Sequence, residues 1–439
     1  MSKKKAQFMK PILLALATAA LFATQPAIGA DLLSVYRDAL TNDPAYASAR
    51  AEYEATKERV PQARAGYLPD ARLTGTAGRN RFEFEGIPTI TDNSQGYTLS
   101  LSQPIFRAQN WIAIGQARNQ VLSGEAKVGD ALQDLILRTA QAYFDVLLAQ
   151  DNVMLSDAQK KAISEQLAQA KRNFEVGTAT IVDTYEAQAK YDLAVAKEIS
   201  DRNDLEIKQR ALQQLIGKVA PSLNPLKDQV ALPLPTPNNM EEWVAAGEKD
   251  SLTLAQFKTA YDIALQEVNR QRAGHLPTVD LTGSYNNTPS ASVGNPEKTT
   301  GVGITVTLPL FQGGATQSRV REAVANRDRA QQELERTRRA VAQSVRQSFL
   351  GVTNGAAQVK AFEAAQVSNQ SSLDSTILGR EVGVRTGVDV LNAQQQLFQA
   401  RRDLQQARYS TILSQLRLKA STGRLAEEDL AEVNRLLIK

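Results

Sequence analysis

Tyr67-Leu68-Pro69-Asp70-Ala71-Arg72-Leu73-Thr74-Gly75 is written a second time as His275-Leu276-Pro277-Thr278-Val279-Asp280-Leu281-Thr282-Gly283. The match is one of an ordered set. Gln103-Pro104-Ile105-Phe106 returns as Leu308-Pro309-Leu310-Phe311, and Phe174-Glu175-Val176-Gly177 returns as Arg380-Glu381-Val382-Gly383. Gly217 answers Gly423. The offsets are 208, 205, 206 and 206 residues, so the chain carries one structural unit twice, over about 31–217 and 241–423. Between the copies, 218–240 holds Pro221, Pro225, Pro233, Pro235 and Pro237 and reads as an extended connector. Residues 424–439 form a C-terminal segment.

Each copy has the same internal order. Arg107 to Asn173 is 67 residues without proline, and as one helix it would run ~100 Å, well beyond a globular-domain helix. Leu132, Ile136, Thr139, Tyr143 and Val146 step 4-3-4-3, and Ile163, Leu167, Ala170 and Phe174 step 4-3-4. This is the spacing of a coiled-coil seam. In the second copy Gln312 to Gly379 behaves likewise, with Val341, Val345, Ser348 and Val352. The small and polar residues in both seams suit close packing among several helices. Asp31–Gly66 and Ile181–Gly217 together match the length of the long helix, which predicts two shorter helices stacked end to end along it.

Between helices the period changes to two. Tyr97, Leu99 and Leu101 alternate with Thr98, Ser100 and Ser102; Val302, Ile304, Val306 and Leu308 alternate with Gly303, Thr305 and Thr307. Strands are expected at about 69–81, 94–104, 277–287 and 299–309, joined by polar loops Phe82–Asn93 and Asn287–Lys298. Alternation over about ten residues with one apolar face is what a transmembrane barrel strand needs. Four strands cannot close, and open edges are not tolerated in lipid, so two or more copies of the chain must complete the barrel.

Lys3, Lys4, Lys5 and Lys10 precede and open the apolar run Ile12–Ala23, and the small residues of Ala27-Ile28-Gly29-Ala30 follow. Residues 1–30 therefore read as a secretory signal, cut after Gly29 or Ala30; the run is too short to be a spanning helix. Those lysines are the only charges among the first thirty residues, so the +4 net charge falls to zero without them. A nucleic-acid partner is not expected from a chain with no basic excess. Zero cysteine excludes disulfides, thiolate metal sites and a lipidated Cys, and a single histidine, His275, excludes a histidine metal cluster. Glu427-Glu428-Asp429 reads as a solvated helix edge, and Gly313-Gly314 fits no nucleotide fingerprint, so neither catalysis nor a cofactor is expected.

The ordered set Phe174-Glu175-Val176-Gly177-Thr178 with Ile181-Val182-Asp183, His275 to Thr282, Leu308-Pro309-Leu310-Phe311-Gln312-Gly313-Gly314, and Val382 to Leu391 closely resembles the TolC family of outer-membrane efflux proteins. The likeness covers essentially the whole chain after the signal. It implies a mostly α fold with a small β part: a long antiparallel coiled-coil barrel continuous with a transmembrane β-barrel, four strands per chain, closed as a homotrimer of twelve strands and twelve helices. It also implies an outer-membrane exit duct for small toxic compounds or secreted polypeptides, docked to a periplasmic adaptor and an inner-membrane pump. An exported coiled-coil scaffold or receptor of the envelope without a conduit is the other reading, and it leaves the strand pairs unexplained.

By the same resemblance the tunnel entrance lies near 174–183 and 380–389. Asp183, Arg385 and Gln166 match the polar links that hold the family's entrance shut, and Asp389 matches one of its acids. Val176-Gly177 and Val382-Gly383 match the adaptor-contacting tips. Three positions depart from the pattern: Asn392 stands at the second acid, Arg380 at a tyrosine, and Val182 at a threonine. These departures predict a more cationic neck in which Arg380 or Arg385 pairs with Asp183. For Asp183 and Asp389 helix capping remains the alternative role.

Overall fold

The computed structural model describes residues 29–227, 230–289 and 298–438. The proposed leader therefore lies outside the described residues except for Gly29 and Ala30, as does most of the expected loop Asn287–Lys298.

The first repeat opens with three helices, α1 (Leu32–Asn42), α2 (Pro44–Lys57) and α3 (Arg59–Ala65). One unbroken helix was expected over Asp31–Gly66. The break after Asn42 has a clear cause. Asp43 caps α2 by accepting from the Tyr46 N–H at 2.7 Å, with Pro44 in the first helical turn. Its carboxylate also receives Arg138 Nη1 at 2.9 Å and Nη2 at 3.2 Å, and it is buried. The second break, at Glu58, lies three residues before Pro61, which cannot donate to the Lys57 carbonyl.

Strands β1 (Asp70–Phe84) and β2 (Ile87–Phe106) follow, then the long helix α4 (Ala108–Glu175, 68 residues) and α5 (Ile181–Ile216). The second repeat supplies α6 (Met240–Asp250), α7 (Leu252–Arg272), β3 (Thr278–Asn287), β4 (Lys298–Thr307), α8 (Ala315–Glu381, 67 residues) and α9 (Gly387–Ser421). A short helix, α10 (Glu427–Asn434), lies near the C-terminus. The repeat is visible in backbone detail, since Gly217 ends α5 with φ +71° and Gly423 follows α9 with φ +73°.

The four strands form one antiparallel sheet in the order β1-β2-β3-β4. Its first hairpin is longer than the sequence pattern suggested. Most of Phe82–Asn93, expected as a loop, is paired strand, with Arg81 opposite Thr91 and Phe84 opposite Ile87, leaving only Glu85-Gly86 to turn. Gly86, Pro88 and the polar residues around them read as a loop, yet Phe82-Glu83-Phe84-Glu85 keeps a period of two, the sign of a strand that the loop assignment passed over.

In each repeat the shorter helices run end to end along the long one: α1 to α3 and α5 pack on α4, and α6, α7 and α9 pack in turn on α8, with α7 also lying on α4 and α4 meeting α9. The expected seam is buried at Ile136, Thr139, Tyr143, Val146, Ile163 and Leu167, while Phe174 at its far end is exposed. The largest apolar core gathers mid-length, where Tyr143 and Phe144 of α4 meet Tyr409, Ile412 and Leu416 of α9. The connector crosses this region, and the Tyr143 hydroxyl donates to the Asn224 carbonyl at 2.8 Å. None of the described helices is long and apolar enough to cross a membrane.

Candidate functional site: the helical tips

At the end farthest from the sheet, each helical hairpin turns on a glycine. Gly177 (φ +77°) and Gly383 (φ +83°) adopt the left-handed conformation that residues with a Cβ avoid. The Thr178 N–H reaches back to the Asn173 carbonyl at 2.8 Å, and the Val384 N–H to that of Gly379 at 2.9 Å. These bonds satisfy carbonyls that the helix end would leave open. Val176, Val382 and Val384 then stand out, at 72, 66 and 75% exposure, as an apolar tip pair.

The returning helices start with the same device. Thr180 caps α5 by accepting from the Asp183 N–H, and Asp183 Oδ2 receives the Thr180 N–H at 2.9 Å and its hydroxyl at 2.8 Å. Thr386 and Asp389 repeat the arrangement on α9 at 2.8 and 2.9 Å. The Thr386 backbone N–H, then its hydroxyl, hold the Asp389 carboxyl below the usual carboxylate range, with Arg385 adding a smaller attraction. The T-x-x-D spacing of a capping box is present in the sequence, and it was the signal for Thr180 and Thr386 that motif reading passed over.

The expected pairing of Arg380 or Arg385 with Asp183 is not formed within the protomer. Arg380 Nη1 instead donates to Gln166 Oε1 at 2.6 Å, joining α8 to α4, because the Asp183 carboxylate is already turned onto its own helix start. Arg385 lies on the same cleft of about 240 Å³ as Gln166, Asp183 and Arg380, and its side chain packs along Gly379. A second polar link, Lys190 Nζ to Gln395 Oε1 at 3.2 Å, joins α5 to α9. Asn392 is exposed, on α9 beyond the cap. The structure thus brings Gln166, Asp183, Arg380 and Arg385 to one cleft and places Asp389 and Asn392 along the adjoining face of α9.

Residues 35–218 and 248–424 match the model of the family described as outer membrane efflux protein, one stretch per repeat. The chain belongs to that family. Among its relatives, the outer membrane protein TolC of Vibrio cholerae is 33% identical over 435 residues, covering 97% of this chain and 98% of the relative. The proteases secretion protein PrtF of Dickeya chrysanthemi is 31% identical, covering 92% and 90%. The fold agrees with solved structures: the Campylobacter jejuni CmeC outer membrane channel superposes with a TM-score of 0.80 at 18% identity, over 93% of this chain and 90% of that one. VceC of Vibrio cholerae superposes at 0.76 with 18% identity, over 89% and 96%. The protein is accordingly an outer-membrane channel of the efflux and type I secretion class, and its family and fold are those of channels rather than of enzymes.

Proposed function

We propose that three copies of this chain close into a twelve-stranded barrel that continues as a helical tunnel, and that the tips carry its gate. The observation that supports closure is the sheet itself. β1 and β4 each pair with one neighbour, so two edges stand open among the described residues, which lipid does not tolerate. The outer face is apolar, with Leu73, Leu99, Leu101, Leu281, Val302, Ile304 and Val306 all exposed on the isolated protomer. The 68- and 67-residue helices would extend the duct by ~100 Å below the barrel.

In the gate, Arg380 and Gln166 hold one helical pair to the other inside each protomer. Because Asp183 and Arg385 do not pair within a chain, their link would run between neighbouring protomers, alongside the ring of Asp389 and Asn392. Val176-Gly177 and Val382-Gly383 present the exposed apolar turns to a periplasmic adaptor, and an inner-membrane transporter coupled through that adaptor supplies the energy. The chain itself is a passive exit path, and its cargo is set by the pump.

The test is single-channel recording from the detergent-extracted oligomer in a planar bilayer. A small, mostly closed conductance is expected. An intact membrane-extracted oligomer that conducts nothing under any condition would leave an envelope scaffold as the better reading.

A further inference from the structure

We infer that the mature chain begins at Ala30, its leader being removed by hydrolysis of the Gly29–Ala30 bond; this rests on reading the segment before Ala30 as a secretory signal. Sequence alone leaves the cut after Gly29 or after Ala30. The structure gives the mature chain a reason to keep Ala30, because that residue is built into the fold through both of its backbone groups. Its N–H donates to the Ser222 carbonyl at 2.7 Å, and its carbonyl accepts the Asn224 N–H at 3.1 Å, forming a parallel bridge with Leu223 of the connector. The Tyr143 hydroxyl, from the centre of the largest core, lies between this carbonyl at 3.2 Å and that of Asn224 at 2.8 Å and shares its one proton, the Ala30 arm being the longer.

Removing Ala30 would undo this junction. The Ser222 carbonyl and the Asn224 N–H would lose their partners beside a buried Leu223, and unpaired backbone groups in such a place are costly. It would also place the new ammonium on Asp31 itself. Asp31 is the N-cap of α1, and its Oδ1 receives the Ser34 N–H at 2.8 Å. A positive charge there opposes the helix dipole, whose N-terminal end is already positive. Cutting one bond earlier keeps the amine one residue farther off, and as an ammonium it still donates to Ser222.

Gly29 also lies against the connector, where a Cβ would meet the flexible end of the Asn224 side chain and displace it. The peptidase chemistry agrees, since cleavage wants small residues in an A-x-A-like pattern before the cut. The Gly29–Ala30 bond has Ala27 and Gly29 at those two positions, whereas the next bond would put Ile28 and Ala30 there. The peptidase meets an unfolded chain and does not read the bridge; the fold instead makes Ala30 a residue that the mature protein needs. In the step itself one water is consumed. Its oxygen joins the Gly29 carbonyl carbon, the C–N bond breaks, and the Ala30 nitrogen leaves as an amine that takes up a proton.

Intact-mass measurement of the oligomer isolated from the outer membrane, with sequencing of its N-terminal peptide, tests this. Ala30 as the first residue is expected. A chain starting at Asp31 or elsewhere after cleavage overturns the site, whereas a chain retaining Met1 overturns the leader reading beneath it. A variant with Ala30 deleted, so that Gly29 is followed by Asp31, gives the second measurement. Its purified oligomer should dissociate at a lower temperature than the wild type, and an unchanged midpoint would remove the structural reason for retaining Ala30.

Discussion

Arg380 reaches across the tip cleft to Gln166 at 2.6 Å, so that a charged donor on α8 is held by a neutral acceptor on α4. The bond is half-buried and joins helices that belong to different repeats. It spans the cleft at the level where both hairpins turn back.

Breaking that bond should loosen the gate. A hydrogen bond to a charged group is worth about 1.5–3 kcal/mol, and the lower end suits a site open to water on one side. Arg380→Ala should therefore raise the open-to-closed ratio of the channel by roughly tenfold. Gln166→Ala should do much the same, and the double variant should add little, because either change removes the same link. Single-channel recording of the three variants decides it. Additive effects would mean that the two side chains act independently.

Asp183 caps its own helix, and asparagine separates that role from the gate contact proposed for it. The carboxylate completes the capping box with Thr180, a device worth about 1 kcal/mol to a helix start. Asparagine keeps an oxygen that can accept from Thr180 and loses the charge. If Arg385 of a neighbouring protomer is the other partner, Asp183→Asn should open the channel nearly as far as Asp183→Ala. A closed Asp183→Asn channel would show that capping is the whole of its contribution.

The long helices and the duplication were legible because both are written as periods. A 4-3 spacing and an offset near 206 survive without any knowledge of partners. What depends on a partner was not legible. The break at Asp43 had its local sign in Asp43-Pro44, but only Arg138, 95 residues away, makes that carboxylate a buried fixed point. The paired stretch from Arg81 to Thr91 holds Gly86 and Pro88 and so reads as loop, although Phe82-Glu83-Phe84-Glu85 alternates as a strand does. At the tip, the resemblance pointed to Gln166, Asp183 and Arg385, and the departure at Arg380 suggested an ion pair with Asp183; within the protomer Arg380 bonds Gln166 instead. Which bond an arginine makes there depends on where the capping box has already turned the aspartate.

Glu267 predicts a specific acid response. Burial alone would raise its carboxyl, but hydrogen bonds from Arg270, Gln116 and Gln271 outweigh that and lower it from 4.5 to about 2. Gln116 belongs to α4, so the carboxylate ties α7 to the long helix at 2.9 Å. A depressed carboxyl stabilises the fold above its unfolded value and loses that contribution as pH falls through its folded one. The wild type should therefore lose about 2–3 kcal/mol from this group between pH 4.5 and 2. Glu267→Gln should be less stable at neutral pH and converge with the wild type near pH 2. Denaturant midpoints of both proteins across that range give the difference directly, and parallel curves would refute the assignment.

The sheet offers a test in which neighbouring residues should behave oppositely. Ile304 lies opposite Leu281 on the apolar face, while Thr305, opposite Asp280, points to the other side. If the apolar face meets lipid, Ile304→Arg places a charge near the middle of the band. That costs about 2–4 kcal/mol per strand, repeated once in every copy of the assembled barrel. Thr305→Arg faces the water-filled side and should assemble normally. The yield of heat-resistant oligomer extracted from the outer membrane is the readout. A strong loss for Ile304→Arg with little for Thr305→Arg is expected. Equal tolerance of both would mean that this face is not in the bilayer, and the reverse order would mean that the strands are turned the other way.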